Sequence, residues 1–337
     1  MISLLLCVFL VSWSLTFAVR SFALHHHVID VPNARSSHRV ATPRGGGVAF
    51  VVTSFAALLW LNAVGVLSLA DGAVIFLGGG AVALLGFLDD WGHVSPLSRL
   101  LVQSAVSIWV LCVWHAFPTL VFYDVHLPLG FWANCFGFLY FVWLINLYNF
   151  MDGIDGLAAS EAIFCCLGAA VLYYLHGDHQ LTALVSVLAA AVLGFLGWNV
   201  SPARIFMGDA GSGFLGFMLA LLSIQATIID AQYFWAWLIL LGVFVVDATL
   251  TLFRRIIRLE NVTLAHAMHG YQHAARRYAS HPKVVVVITM INIVWLWPLA
   301  WFVVMKQFNG LLMLMLAYCP LIGLALYCKA GHAVTDS

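Results

Sequence analysis

The chain of 337 residues is divided into apolar runs that are each close to the ~20 residues a helix needs to cross a lipid bilayer. The runs are continuous rather than alternating, which argues against a transmembrane β-barrel. A composition of 64% hydrophobic and 8% charged residues also excludes a soluble globular protein, which carries about 25% charged residues. We therefore predict an all-α polytopic integral membrane protein. Eleven runs can be marked, at about 1–22, 46–66, 71–88, 99–117, 130–148, 160–176, 180–198, 211–229, 232–252, 284–305 and 309–328.

No composition change or linker divides the chain, so residues 1–337 are expected to form one membrane-embedded unit with ten or eleven spans. The basic residues predict its orientation. If the N-terminus is outside, the odd-numbered connections are cytoplasmic, and only Lys306 among the fourteen lysines and arginines lies outside, as the positive-inside rule requires. The basic residues on the cytoplasmic side are then Arg20, Arg35, Arg39, Arg44, Arg99, Arg204, Arg254, Arg255, Arg258, Arg276, Arg277, Lys283 and Lys329.

The same orientation sorts the aspartates into two groups. One group falls singly in external turns, as is typical of solvated turn residues: Asp71, Asp124, Asp178 and Asp230. The other group falls at the cytoplasmic ends of spans: Asp89, Asp90, Asp152, Asp155 and Asp209. Carboxylates at membrane depth are costly and usually functional, and a divalent cation or a cation-bound phosphate would relieve their repulsion. Because hard oxygen ligands predominate, Mg²⁺ or Mn²⁺ is expected rather than zinc.

The most specific motif is "NLYNFMDGIDG", where oxygen-bearing side chains recur every three residues and so lie roughly on one helical face. Gly153 and Gly156 would let the backbone approach a ligand closely. The side chains in this series are Asn146, Asn149, Asp152 and Asp155.

A second motif, "NVSPARIFMGDAGSGFLG", leads through Asp209 into a helix that begins with Gly211 and Ser212. Helix N-termini bind phosphate oxygens through free backbone N–H groups, so this helix start is a candidate phosphate site. The segment "HHHVIDVPNARSSHRVATPRGGG" contributes arginines, Arg44 among them, that would balance anionic lipid or substrate phosphates.

The longest internal loop, about residues 253–283, carries His266, His269 and His273 at spacings that let them share a helical face. Metal ligation and hydrogen bonding to a phosphate or leaving group are both open. Hydrogen bonding is favoured, because no carboxylate stands at ligand spacing. A His269→Ala variant is expected to lose at least about tenfold in turnover, with His266→Ala comparable or milder. His281→Ala is expected to stay near wild type.

Five segments occur in an order that resembles the polyprenyl-phosphate N-acetylhexosamine-1-phosphate transferases, the WecA/MraY superfamily of glycosyltransferase family 4. They are "DVPNARSSHRVATPRGGG", "FLDD", "NLYNFMDGIDGLA", "NVSPARIFMGDAGSGFLG" and the histidine-bearing loop. The loop sequence "HAMHGYQHAARR" is more similar to the WbpL-like branch that initiates O-antigen synthesis than to MraY. The resemblance implies a multi-span helical fold, a cytoplasmic active site, dependence on Mg²⁺ and release of UMP.

The resemblance also implies roles for individual residues. Asp209 corresponds to a metal ligand, with Asp152 beside it. Asp89 and Asp90 correspond to the pair next to the lipid phosphate, one of them a candidate base. The remaining implied site residues are Asn149, Asp152 and Asp155 at the nucleotide or metal, Asn199 and Phe206 in the uridine-diphosphate pocket, and His269, followed by His266, as the essential loop histidine.

The reaction implied is attack by undecaprenyl phosphate on the β-phosphorus of a UDP-N-acetylhexosamine, in the inner membrane of a bacterium. GlcNAc or a 6-deoxy sugar such as FucNAc or QuiNAc is expected, for O-antigen, lipopolysaccharide or another envelope glycan. Alternatives are an MraY-type phospho-MurNAc-pentapeptide transferase and a secondary transporter. MraY-type specificity is disfavoured, because His93 replaces a lysine of the MraY pattern and His266-Ala-Met-His269 replaces its closely packed histidines. A homodimer stays open, and no nucleic-acid partner is expected.

Overall fold

A computed structural model describes residues 1–32, 40–92, 94–114, 120–122, 125–127, 130–261 and 267–333. The protein is an all-α membrane protein with two short hairpins. The helices are α1 (Ile2–His25), α2 (Gly47–Ala63), α3 (Leu69–Trp91), α4 (Pro96–Val113), α5 (Phe131–Phe150), α6 (Leu157–His176), α7 (His179–Asn199), α8 (Asp209–Ile229), α9 (Gln232–Leu240), α10 (Gly242–Ile257), α11 (Gly270–Tyr278), α12 (His281–Val304) and α13 (Gly310–Tyr327). Strands β1 (Ile29–Asp30) and β2 (Thr42–Pro43) pair antiparallel, as do β3 (Leu120–Phe122) and β4 (Val125–Leu127).

Each of the eleven predicted runs coincides with a helix or a helix pair. Within the described residues, nine helices are long and apolar enough to cross a membrane. The ninth predicted run is a broken pair, α9 and α10, bent by 73°, and the second is α2, which has only 17 residues. The predicted fold class is therefore confirmed, and the break between α9 and α10 is a feature that apolar length does not reveal.

Helix α8 lies at the centre of the bundle, with 83% of its apolar window buried, whereas α1 lies at the edge with 17% buried. Small residues allow the close packing around α8, as in many membrane proteins. A Cβ atom at Gly216 would lie 2.5 Å from the backbone oxygen of Leu144 in α5, so only glycine fits there. This contact fixes α5 against α8, the two helices whose ends carry the most specific motifs.

The connections that carry the sequence motifs meet at one end of the bundle. The segment before α2 pairs with the segment before α8 through backbone hydrogen bonds. Gly47 donates to the Met207 oxygen at 2.8 Å, and Phe206 donates to the Pro43 oxygen at 2.8 Å. Gly47 also packs directly on Gly211. The pairing brings the N-terminal basic segment to the motif that contains Asp209.

Candidate active site

At this end of the bundle lies a polar cavity of about 230 Å³, here called the acidic cavity. Five aspartates line it, Asp30 after α1 and four from the sequence motifs of three other connections: Asp90, Asp152, Asp155 and Asp209. The other residues that line it are Arg44, Gly153, Ile154, Asn199, Phe206, Gly208, Gln272 and His281. The structure thus brings together motifs that are spread over most of the chain.

The end of α3 supplies the adjacent pair Asp89 and Asp90. Asp90 is 5% exposed, and its two carboxylate oxygens accept the backbone N–H groups of Asp209 at 3.1 Å and Ala210 at 3.3 Å. Arg44 donates to the backbone oxygen of Asp90. Asp90 therefore fixes the first turn of α8, and Arg44 is held in the cavity by the same helix end.

Asp89 faces the other side of the α3 terminus, where it accepts the backbone N–H of Val94 at 2.8 Å. Arg99 of α4 lies 2.7 Å from Asp89 and 3.2 Å from Asp209, so one guanidinium serves two carboxylates. Sequence reasoning counted Arg99 only as a cytoplasmic basic residue. Its position near the start of an apolar helix was the available signal that it pairs with buried acids.

Asn149, at the end of α5, connects the motif "NLYNFMDGIDG" to the start of α8. Its side-chain amide donates to Asp209 at 2.9 Å and to the hydroxyl of Ser212 at 3.0 Å. Asn146 instead donates to Gln103 of α4 at 2.7 Å, which is a helix-packing contact. The three-residue series in this motif therefore divides, with Asn149 at the site and Asn146 behind it.

Asp152 and Asp155 occupy the connection between α5 and α6, and they have opposite electrostatic surroundings. Burial, together with the carboxylates of Asp209, Asp90 and Asp155, raises the pKa of Asp152 to about 7. Burial would also raise the pKa of Asp155. Hydrogen bonds from His281, Ser201 and the Ala203 N–H outweigh it and lower the pKa of Asp155 below its ordinary value. The surroundings thus stabilise the ionised form of Asp155 and destabilise the ionised form of Asp152.

His281, the first residue of α12, lies at the acidic cavity. Its Nδ1 atom is 3.3 Å from the carboxylate of Asp155, and its side chain is 15% exposed. The expectation that His281→Ala would stay near wild type therefore loses its basis. The residue lies twelve positions beyond the His269 motif, and no local pattern marks it.

Asn199 and Phe206 both line the acidic cavity, and their assignment to a uridine-diphosphate pocket stays a prediction. Asn199 is 3% exposed and both ends of its amide are engaged. It accepts the Gly156 N–H at 3.0 Å and donates to the Ile205 oxygen at 2.9 Å. Asn199 therefore ties the Asp155 connection to the segment before α8. Phe206 is partly exposed and also contributes to the polar cavity described below.

The start of α8 differs from the sequence expectation of free N–H groups. Those of Asp209 and Ala210 are bound by Asp90, and those of Gly211 and Ser212 donate to the Gly208 oxygen at 3.1 Å. Gly211 and Ser212 are also buried. Sequence reasoning identified the helix start but not the carboxylate that occupies it. Phosphate contacts by Gly211 and Ser212 stay a prediction.

Two of the three loop histidines fall within the described residues. His269 is 3% exposed, its Nδ1 lies 3.4 Å from the carboxylate of Asp247, and its ring lies between Phe150 and Tyr271. His273 donates to the backbone oxygen of His332 at 3.0 Å. His266 lies outside the described residues. His269 therefore lies at the start of α11, packed against Asp247, Phe150 and Tyr271. The catalytic role assigned to it and to His266 stays a prediction.

Two larger cavities lie near the acidic cavity, and one of them shares lining residues with it. A polar cavity of about 600 Å³ shares Asp155, Phe206 and His281 with it and extends towards Arg276. An apolar cavity of about 580 Å³ lies between α10, α11, α12 and α13. Residues that line the apolar cavity include Val243, Val246, Val287, Leu321, Leu324 and Tyr327. The beginning of α11 forms a wall of both the acidic and the apolar cavity, through Gln272 on one side and Gly270 and Tyr271 on the other.

Comparison with known proteins identifies the family. Residues 72–227 match the model of glycosyl transferase family 4. A probable undecaprenyl-phosphate N-acetylglucosaminyl 1-phosphate transferase of Bacillus subtilis (strain 168) is 30% identical over 284 residues, which is 83% of this chain and 78% of the relative. The chain belongs to glycosyl transferase family 4. The resemblance inferred from the sequence motifs is therefore confirmed.

Other members of glycosyl transferase family 4 match over a smaller share. An undecaprenyl-phosphate α-N-acetylglucosaminyl 1-phosphate transferase of Thermotoga maritima is 29% identical over 64% of this chain and 62% of the relative. A phospho-N-acetylmuramoyl-pentapeptide-transferase of Picosynechococcus sp. is 33% identical over 62% of this chain and 58% of the relative. N-acetylglucosaminyl 1-phosphate transferases and phospho-N-acetylmuramoyl-pentapeptide-transferases are thus similar to this chain at comparable identity.

Proposed function

We propose that this protein transfers an N-acetylhexosamine 1-phosphate from a UDP-sugar to undecaprenyl phosphate and releases UMP. The observation that carries the proposal is the acidic cavity, which shares lining residues with a polar cavity and is separated from an apolar cavity by the first turn of α11. A reaction between a water-soluble donor and a lipid acceptor requires such a junction. The family relatives named for undecaprenyl-phosphate transfer support the same conclusion.

The cavities divide the substrates by polarity. The apolar cavity of about 580 Å³ would take the part of the polyprenyl chain next to its phosphate, because it opens between membrane helices and is lined mainly by aliphatic side chains. The polar cavity of about 600 Å³ has room for the nucleotide, with Phe206 available for stacking and Arg276 for charge. The acidic cavity would hold the two reacting phosphates.

Anionic phosphates require positive charge beside the carboxylates. Arg44 lines the acidic cavity, and Arg99 reaches Asp209 from α4. Positioning and charge neutralisation dominate catalysis of phosphoryl transfer, so these fixed cations would orient the diphosphate. His281 would hold Asp155 as an acceptor for the donor substrate.

A divalent cation, Mg²⁺ or Mn²⁺, is part of the proposal. Within the described ranges, no three His, Cys, Asp or Glu side chains converge closely enough to hold a metal ion by themselves. Mg²⁺ typically binds through one or two carboxylates together with substrate phosphates and water, and Asp209 and Asp152 fit that mode. Bound there, the ion would neutralise charge that develops on the transferred phosphoryl group.

In the proposed reaction an oxygen of undecaprenyl phosphate attacks the β-phosphorus of the UDP-sugar. The bond between that phosphorus and the bridging oxygen breaks, and UMP leaves with the oxygen. Asp89 or Asp90 would accept any proton that remains on the lipid phosphate. Asp90 is better placed, because it lines the acidic cavity, whereas Asp89 faces the other side of the α3 terminus, where its two oxygens are engaged by the Val94 N–H and by Arg99.

The acidic residues lie at one end of the helices, on the side where the basic connections also lie, and this favours an enzyme over a transporter with a site at the bilayer midplane. By the distribution of lysine and arginine, that side is the cytoplasmic one, in the inner membrane of a bacterium. The sugar is proposed to be GlcNAc or a 6-deoxy N-acetylhexosamine, as used in O-antigen and other envelope glycans. The phospho-MurNAc-pentapeptide is the second candidate, because relatives with that specificity reach 33% identity.

Purified protein should release UMP from one UDP-sugar only when undecaprenyl phosphate and Mg²⁺ are both present. The donor panel is UDP-GlcNAc, UDP-GalNAc, UDP-linked 6-deoxy N-acetylhexosamines and UDP-MurNAc-pentapeptide. Formation of the lipid-linked sugar, detected by mass spectrometry, is the second readout. Release of UMP without lipid, or no release from any donor by inserted protein, would contradict the proposal. Turnover of the pentapeptide donor alone would establish the second candidate.

A further inference from the structure

Asp247 of α10 is a buried carboxylate that no sequence motif marked. It is 7% exposed, and its oxygens accept the backbone N–H groups of Gly270 at 2.8 Å and Tyr271 at 2.9 Å. His269 Nδ1 lies 3.4 Å away, and the Thr251 hydroxyl donates at 3.3 Å. Asp247 therefore bridges α10 to the first turn of α11, where the helix dipole favours a negative charge.

The first turn of α11 reaches the acidic cavity through two side chains. The Tyr271 hydroxyl donates to the Phe150 oxygen at 2.9 Å, two residues before Asp152. Gln272 accepts the His269 N–H at 3.2 Å with its Oε1 atom, which fixes the direction of the amide. Its Nε2 atom is then directed towards Gly153, where it would lie 3.1 Å from a Cβ atom.

Gln272 is 7% exposed and lines the acidic cavity, and its Nε2 atom makes no hydrogen bond to any residue that the structure describes. An amide donor held in this way at the edge of the acidic cavity suits a phosphate or sugar oxygen of a ligand. The donor depends on α11, and the start of α11 depends on Asp247.

We propose that Asp247 is a positioning residue that holds the start of α11 so that the Gln272 amide donates to the water-soluble substrate. The inference rests on the proposed function and adds Gln272 to the residues that contact the sugar nucleotide. Asp247 also lines the apolar cavity. If Asp247 only shaped the wall of the apolar cavity, its substitution would affect the lipid substrate rather than the UDP-sugar. The experiment therefore measures the kinetic constants for both substrates.

The test measures kcat and KM for both substrates in Gln272→Ala, Asp247→Asn and the double variant. Loss of one hydrogen bond to a charged ligand should lower kcat/KM for the UDP-sugar about tenfold in each single variant. The KM for undecaprenyl phosphate should change less than about twofold. The double variant should be no worse than the poorer single variant, because both changes remove the same contact. Asp178→Asn, the same exchange at the opposite ends of the helices, is the matched control.

Multiplied losses in the double variant, or a changed KM for the lipid alone, would overturn the proposal. If the wild-type protein releases no UMP, the proposed function fails, and hydrogen–deuterium exchange of the 268–278 peptide still decides the role of Asp247. Faster exchange in Asp247→Asn than in Asp178→Asn supports a carboxylate that holds the helix start. Equal exchange means that α11 keeps its position without Asp247.

Discussion

Both ends of the helix bundle carry aspartates, but the aspartates are paired singly at one end and clustered at the other. At the end away from the acidic cavity each described carboxylate has its own neutral or cationic partner. Asp71 accepts from Ser68 and Trp114, Asp178 accepts from Tyr233, and Asp230 pairs with Lys306. At the other end five carboxylates line one cavity of about 230 Å³.

We interpret the difference as one between carboxylates that stabilise the fold and carboxylates that are proposed to bind substrate or metal. Single acids at helix ends satisfy local N–H and O–H donors, whereas clustered acids repel each other and are kept close only if binding repays the cost. Asp155 is intermediate, because it shares the cavity but is stabilised by His281 and the Ala203 N–H. The comparison predicts which substitutions affect activity and which affect stability.

The largest effect is expected for Asp209→Asn, which removes an anionic ligand and keeps the shape. Turnover should fall by about two orders of magnitude or more, since a metal contact is worth several kcal/mol in the transition state. Asp178→Asn at the opposite end should keep near wild-type turnover. UMP release by equal amounts of inserted protein measures both. Similar losses in the two variants would remove the distinction between the ends.

A smaller loss is expected for His281→Ala, which deprives Asp155 of a side chain whose Nδ1 lies 3.3 Å from its carboxylate. Turnover should fall about tenfold, the value of one hydrogen bond to a charged group. His273→Ala is the control, because His273 bonds to the His332 backbone rather than to an acid of the cavity. Wild-type rates in His281→Ala would mean that Asp155 needs no partner for catalysis.

Asp152→Asn should stabilise the protein while it inactivates it. The pKa of folded Asp152 is raised to about 7, so its carboxyl loses its proton in the unfolded chain at lower pH than in the folded one. Stability therefore falls as pH rises from about 4 to about 7 and then levels. In the presence of a chelator, the melting temperature of Asp152→Asn should exceed that of wild type by a few degrees at pH 8 and by less at pH 5. An advantage that does not grow with pH would show that Asp152 carries no repulsion.

The smallest effect is expected for Lys306→Ala. Lys306 lies 2.9 Å from Asp230, but its side chain is 62% exposed. Exposed pairs of this kind contribute less than about 1 kcal/mol to the free energy of unfolding, and salt weakens them further. Thermal unfolding at low and high salt measures the change. A larger loss would show that this single exposed ion pair makes a substantial contribution to the free energy of unfolding.

Apolar length predicted the helices well, because a span must satisfy all its backbone groups internally and so leaves a continuous run in the sequence. The break between α9 and α10 escaped, since apolar residues continue across it without a gap. The acidic motifs were also predictable, because several carboxylates in a chain with 8% charged residues have few structural explanations.

The residues that escaped make their contacts across long stretches of chain. Arg99 pairs with an aspartate 110 positions away, and His281 lies beside Asp155 from a distance of 126 positions. Asp247 resembles any polar residue within a helix until the fold brings Gly270 to it. Local patterns report on helices and their ends, whereas these partners are brought together by tertiary packing, in which α4 packs on α3 and α5, α10 on α5 and α13, and α12 on α6 and α9.

The backbone pairing between the segment before α2 and the segment before α8 has a consequence for biogenesis. Its partners, such as Gly47 and Met207, are separated by about 160 residues. A ribosome adds about 5–20 residues per second, so the first partner waits roughly 8 to 30 seconds for the second. During that time the early helices are already in the membrane, but the segment before α2 lacks its backbone partner. The insertion machinery must therefore keep α1 and α2 apart from other chains until α7 and α8 arrive.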